Sequence, residues 1–204
     1  MGFEFLKTYS PGDVYVSGPT WGNHVAIVKK AGLNVIEYPY FDPVSKGICW
    51  VKLIECLHAA KSGSIVLLHV CAHNPTGVDP NPEQWKELAL LMKEKKMVAF
   101  FDSAYQGYAS GDLEKDVIAI KIFLEQGLQM IVSQSFAKNF GLYGERIGAL
   151  HIVCRSKDIA EKVMSQVKLV IRPMYSNPPL HGARLVSRVL GNKDLCARWK
   201  VFLS

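Results

Sequence analysis

The sequence has no uninterrupted apolar run near the roughly 20 residues that span a bilayer. Residues 64–70 are apolar but short, and His69 lies among them. The chain opens on Met1, Gly2, Phe3, Glu4 and Phe5, with no basic stretch leading into a long apolar one, so no secretory signal is read. Gly2 raises myristoylation, but Lys7 stands where that motif expects Ser or Thr. There is no CxxC pair. The five cysteines, Cys49, Cys56, Cys71, Cys154 and Cys196, are odd in number and scattered, which argues against a disulfide framework and for a reducing compartment. His69, Cys71 and His73 would share a face if strand alternation ran through them, but no second ligand pair accompanies them and a metal site is the weaker reading. Internal repeats and low-complexity segments are also lacking.

Charge is present but not concentrated. Lys and Arg number 24 against 18 Asp and Glu, a net charge of +6. The densest basic cluster, Lys93, Lys95 and Lys96, is interrupted by Glu94 and suits a solvated helix face. No nucleic-acid partner and no membrane partner are expected, and anionic small-molecule substrates are compatible with the charge. With 204 residues, 49% of them hydrophobic and 21% charged, the chain can build a substantial core and does not read as disordered.

Periodicity alternates between strands and helices. Strands are predicted over residues 13–17, 34–40, 65–70, 97–101, 130–135 and 148–154. Helices are predicted over 21–31, 51–60, 82–95, 115–125, 158–171 and 179–190, with Pro82 suited to a first helical turn. Residues 41–48 read as a turn-rich hairpin or loop. This alternation predicts an α/β fold, a mostly parallel sheet with helices on both faces. Such sheets carry ligands beyond the carboxyl ends of their strands.

The residues just past those strand ends are chemically pointed. One strand leads to Asn74, Pro75, Thr76 and Gly77; the next ends on Asp102, with Tyr105 close behind; the third leads to Lys138, with Arg146 eight residues on. An amide, a carboxylate, a phenol, an amine and a guanidinium converge on one sheet edge, a set suited to a flat, phosphorylated aromatic cofactor. Each has a plainer reading. Asn-Pro-Thr-Gly is turn chemistry, Asp102 could cap the next segment, and a lone lysine is usually solvated. Order and spacing together favour the functional reading.

That order resembles the aspartate aminotransferases, class I pyridoxal-phosphate-dependent enzymes. The resemblance rests on residues 19–24 (PTWGNH), 72–79 (AHNPTGVD), 101–112 (FDSAYQGYASGD), 133–146 (SQSFAKNFGLYGER) and 171–179 (IRPMYSNPP). It implies pyridoxal 5'-phosphate held as a Schiff base on Lys138, which then moves the proton between substrate and cofactor carbons. It implies Asp102 paired with the pyridine nitrogen and His24 supporting Asp102. Tyr105 and Asn74 would bond the ring's phenolic oxygen, Trp21 and Ala104 would flank its two faces, and Ser135 and Arg146 would hold the phosphate. Trp21 and Asn74 would also line the substrate's place. Arg172 would bind the side-chain carboxylate of a dicarboxylic substrate, reaching into a neighbouring subunit of a homodimer. The implied reaction is reversible amino transfer between L-aspartate and 2-oxoglutarate, giving oxaloacetate and L-glutamate, in the cytoplasm or an organelle.

The family's chains continue beyond both ends of this one. No counterpart is read here of their N-terminal Ser/Gly/Thr phosphate loop, nor of the C-terminal arginine that grips the α-carboxylate. The expectation is therefore a large cofactor-binding domain over 1–170, truncated at both ends, with 171–204 closing it and starting a linking helix to a missing small domain. A non-catalytic cofactor-binding or assembly module is the alternative that truncation suggests. A different pyridoxal-phosphate reaction, such as decarboxylation or β-elimination, is a third reading that Arg172 disfavours.

Overall fold

The computed structural model describes residues 1–203. Its centre is a six-stranded sheet built from β1 (Val14–Gly18), β2 (Val35–Pro39), β5 (Ile65–His69), β6 (Val98–Ser103), β7 (Met130–Ser135) and β8 (Gly148–Val153), in the order β2-β1-β5-β6-β7-β8. Every neighbouring pair is parallel except β7 with β8. A separate two-stranded antiparallel ribbon joins β3 (Phe41–Asp42) to β4 (Gly47–Ile48).

Alternation along each strand feeds two apolar layers. In β5, Val66 and Leu68 pack with Tyr38, Leu57, Leu88, Met92, Phe101 and Phe123. Its other face sends Ile65 and Leu67 to Phe3, Leu6, Val14, Val28, Phe100 and Val167. α3 (Trp50–Ala59), α4 (Pro82–Glu94) and α6 (Ile118–Glu125) supply the first layer. α1 (Gly2–Tyr9), α2 (Gly22–Lys30) and α7 (Lys157–Tyr175) supply the second. Each fully buried Leu, Ile, Val or Phe contributes about 1.5–3 kcal/mol relative to exposure, and these two layers therefore dominate stability. The remaining helices are α5 (Leu113–Asp116), α8 (His181–Leu190) and α9 (Lys193–Val201).

Local chemistry explains the helix starts. Asn81 accepts from the Gln84 amide at 2.8 Å while the Gln84 side chain accepts from the Asn81 amide at 2.9 Å, a reciprocal cap on α4 with Pro82 in its first turn. Ser156 caps α7 through the Ile159 amide and Asn192 caps α9 through the Leu195 amide. The strand and helix alternation is as expected from the sequence. The single helix predicted over 115–125 is two, α5 and α6, separated at Val117, and three further details differ. α1 and α9 were not anticipated, α7 runs through Pro173 to Tyr175 rather than stopping near 171, and β5 ends at His69. Among the described residues no helix is long and apolar enough to cross a membrane.

The strand order reverses between β1 and β5. α2, which follows β1, covers one face, and α4, which follows β5, covers the other. The loops leaving these strands therefore diverge and open a crevice at the carboxyl edge.

Candidate active site

Strand pairing sets the site. His69, Asp102 and Ser133 are register partners across β5, β6 and β7, near the carboxyl ends of these strands. β7 and β8 pair Ser135 with Gly148, and a Cβ at Gly148 would overlap the Gln134 carbonyl oxygen, so only glycine permits this approach. A cleft of about 230 Å³ opens here, lined by Asp102, Ser133, Ser135, Ala137, Arg146 and Gly148 among others.

Asp102 is held from behind. His24 Nε2 lies 3.1 Å from Asp102 Oδ2, and Thr20 Oγ1 lies 2.8 Å from His24 Nδ1. A carboxylate only accepts, so Nε2 carries the hydrogen in the bond to Asp102. The other oxygen, Asp102 Oδ1, accepts no hydrogen bond from the described residues, and the side chain keeps 24% exposure toward the cleft. Trp21, at the start of α2, is 40% exposed and meets the His24 ring edge-on at 5.2 Å.

Behind Asp102 lies a buried imidazole row. His69 and His73 rings are 4.3 Å apart, His24 and His69 are 5.2 Å apart, and Tyr40 stacks on His73 at 3.9 Å. Ser17 and Thr76 hydroxyls flank the two His73 nitrogens at 2.8 Å each. Burial pushes His73 down to about 3, with His69 and His24 adding to it. Burial also pushes His69 down to about 4, His24 assisting and Asp102 opposing. Both rings are neutral at pH 7. Alternation does not carry to His73 as the sequence suggested, because β5 stops at His69 and Ala72 adopts a left-handed backbone, φ 48°. Asp79 holds that turn by accepting from the Ala72 and His73 amides at 2.6 and 2.9 Å. Burial raises the Cys71 thiol to about 12. Among the described residues no cluster of three or more His, Cys, Asp and Glu is arranged for a metal.

Lys138 lies in the turn after β7, half-buried, its Nζ 5.2 Å from the Tyr105 ring and 5.6 Å from that of Tyr143. Arg146 is exposed with φ 51°; its Nη1 donates to the Tyr143 carbonyl at 2.9 Å, and its guanidinium lies 5.5 Å from the Tyr143 ring. Ser135 Oγ accepts from the Ala137 amide at 3.2 Å, leaving its own proton to donate. Ala104 is half-buried between Asp102 and Tyr105. Asn74 is tied to the row through its amide, 3.2 Å from His69 Nδ1. Arg172 stands apart: it is exposed on α7, and its Nη1 donates to Ser176 at 2.5 Å. The structure thus joins Asp102, Ser135 and Arg146 around one cleft, with His24 beside Asp102, Trp21 beside His24 and Tyr105 beside Lys138. It does not bring Arg172 to them within one chain. His69, His73 and Tyr143 are additions; of these only the histidines carried a sequence signal, and it pointed to metal.

The family model for aminotransferase class I and II matches residues 2–201. The chain belongs to that family. Among curated class I and II aminotransferases, it is 54% identical to aspartate aminotransferase 3, chloroplastic, of Arabidopsis thaliana, across all of this chain and 45% of that one. It is 52% identical to the cytoplasmic aspartate aminotransferase of Oryza sativa subsp. japonica, across all of this chain and 50% of that one. A solved aminotransferase structure, the aromatic-amino-acid aminotransferase of Burkholderia pseudomallei covalently bound to pyridoxal phosphate, superposes with a TM-score of 0.96 at 44% identity, covering 99% of this chain and 51% of that one. The chain spans about half the length of the curated aminotransferases it matches.

Proposed function

We propose that this chain binds pyridoxal 5'-phosphate at the β6–β7 strand ends and serves reversible amino transfer between L-aspartate and 2-oxoglutarate, with oxaloacetate and L-glutamate as products. The observation that carries the reading is the open oxygen of Asp102 and the Ser135 and Arg146 donors around one cleft, with Lys138 following the cleft-lining Ala137 and lying beside Tyr105. It is supported by the pyridoxal phosphate bound covalently to the Burkholderia relative and by the names of the plant relatives.

The residues present fit the cofactor's chemistry. Asp102 Oδ1 has room for one cationic N–H donor, which a protonated pyridine nitrogen supplies, and His24 fixes the carboxylate's orientation. Ser135 and Arg146 offer donors for a phosphate. Tyr105 and Asn74 offer donors for a phenolic oxygen, and Trp21 and Ala104 bound a slot for a flat ring. Lys138 serves as covalent anchor and as the base that carries the α-proton. Bound there, pyridoxal phosphate supplies an electron sink for the pair released at the substrate α-carbon.

Arg172 is proposed to recognise the side-chain carboxylate in a neighbouring subunit's site. A homodimer is part of the reading, since Arg172 lies away from its own chain's cleft. Residues 1–170 are proposed as the cofactor-binding unit, with 171–204 closing it and beginning a linking helix. The proposed compartment is the cytoplasm, as named for the rice relative; the chloroplastic Arabidopsis name keeps an organellar origin open.

An absorbance spectrum with added pyridoxal phosphate tests this. The expected result is a protein-bound band that is absent in Lys138→Ala and shifts on adding aspartate. A Lys138-dependent band indifferent to aspartate would instead establish the non-catalytic binding module. Absence of any Lys138-dependent band would refute both.

A further inference from the structure

Asp116 ends the short helix α5 and is buried to 4% exposure, yet no cation pairs with it among the described residues. Its charge is held by three donors from a single turn. The Gly107 and Ala109 amides donate to Oδ2 at 2.7 and 3.2 Å, and the Ser110 hydroxyl donates to Oδ1 at 2.6 Å. Bonds to a carboxylate are roughly twice as strong as neutral ones, so they fix the turn 105–110 firmly. Gly107 has φ +95° and is packed so closely that a Cβ would press on the Leu203 and Leu113 side chains.

The other side of this turn faces Lys138. The Gln106 carbonyl accepts from Asn139 Nδ2 at 3.1 Å, and the Tyr108 hydroxyl donates to the Lys138 carbonyl at 3.3 Å. The Tyr105 ring is the neighbour of the Lys138 ammonium at 5.2 Å. That ammonium makes no hydrogen bond to the described residues and lies 5.6 Å from the Tyr143 ring on its other contact, so its place is set by its backbone and by these rings, of which Tyr105 belongs to the turn. Asp116 touches neither Lys138 nor the cleft. We propose that Asp116 is a positioning residue for Lys138, acting through the turn 105–110. The proposal rests on the reading of Lys138 as the reacting amine.

The full chain is compared with Asp116→Ala, Asp116→Asn and Ser110→Ala. Three quantities are read: amide exchange over 105–110, the rate of trace acetylation of Lys138 by acetic anhydride, and the yield of the Lys138 adduct after pyridoxal phosphate and borohydride. Asp116→Ala is expected to speed local exchange by about tenfold, the loss of one to two hydrogen bonds' worth of protection. Exchange in β5 and β6 should be unchanged, Lys138 acetylation should rise severalfold, and its adduct yield should fall. Asp116→Asn is expected to fall between the parent and Asp116→Ala and nearer the parent, because its oxygen can accept both amides and its NH₂ can donate to Ser110 while the charge assistance is lost. Ser110→Ala should give a smaller change in the same directions and decides the matter if Asp116→Ala does not fold. Faster exchange with unaltered Lys138 acetylation would make the role merely structural and overturn the proposal, as would Asp116→Asn behaving like Asp116→Ala. A parent chain without a selective Lys138 adduct would count against the cofactor reading alone, since acetylation still reports the position of the lysine.

Discussion

Arg146 shows how much one residue can hold. Its backbone lies in the left-handed region, φ 51°, a conformation that a non-glycine residue adopts at some cost and that surrounding structure must impose. Its guanidinium is exposed and, among the described residues, hydrogen-bonds only the Tyr143 carbonyl, so most of its donors stay free beside the cleft it lines. A guanidinium meeting phosphate forms paired, charge-assisted bonds worth roughly 1.5–3 kcal/mol. Arg146→Ala is therefore expected to weaken pyridoxal phosphate binding by about 10- to 100-fold, read as the dissociation constant from spectral titration. Arg146→Lys should recover part of this, because a point charge cannot reproduce the paired geometry. An unchanged constant in Arg146→Ala would remove the residue from the phosphate's contacts. The residue's importance was legible only through its spacing from Lys138; its backbone conformation and its contact with Tyr143 were not, because neither leaves a periodic trace.

At the scale of elements, β5 and the turn after it link stability to pH. His69 and His73 take protons near 6.5 when unfolded, but burial holds them at about 4 and about 3 in the fold. The folded pKa values are depressed, so their stabilising contribution is complete above pH 6.5 and is lost as pH falls toward 4 and 3. His24 reinforces both shifts and His69 adds to that of His73, while Asp102 opposes that of His69 and Tyr40 stacks on His73. Asp79, raised by burial, acts in the opposite sense at lower pH. Each histidine should remove on the order of 1–2 kcal/mol between pH 7.5 and 5. Thermal unfolding across that range should show a falling midpoint, with a shallower fall in His73→Gln; an equal slope in that variant would exclude His73 as a source. The Asn81–Gln84 cap was seen only in the structure; the sequence showed β5 through its branched apolar run and α4 through Pro82 at its first turn. It did not show the imidazole row, because alternation fails where Ala72 turns the chain. α1 was missed because Met1 supplies no side-chain cap, and α9 because its apolar residues mark no buried face. Pro173 read as a break, yet α7 continues through it.

For the whole molecule, the informative fact is separation. Lys138 and Arg146 sit at the sheet's carboxyl edge, whereas Arg172 is exposed on α7 and among the described residues bonds only Ser176. Arg172 does not line its own chain's cleft, and in a symmetric dimer each chain would lend the residue to the other's site. This makes complementation a decisive test of the proposed dimer. Lys138→Ala loses the anchor in both sites of a homodimer, and Arg172→Ala loses the carboxylate ligand in both. Mixed dimers of the two variants contain one site with both residues intact and one site with neither. With random exchange, half the dimers are mixed and half of their sites are intact, so the aspartate-dependent spectral change should return to about a quarter of the parent's. Each variant alone should give little of it. Recovery on mixing would mean that Arg172 acts across subunits. No recovery, in a mixture shown by mass to contain mixed dimers, would mean that Arg172 takes no part in the neighbour's site.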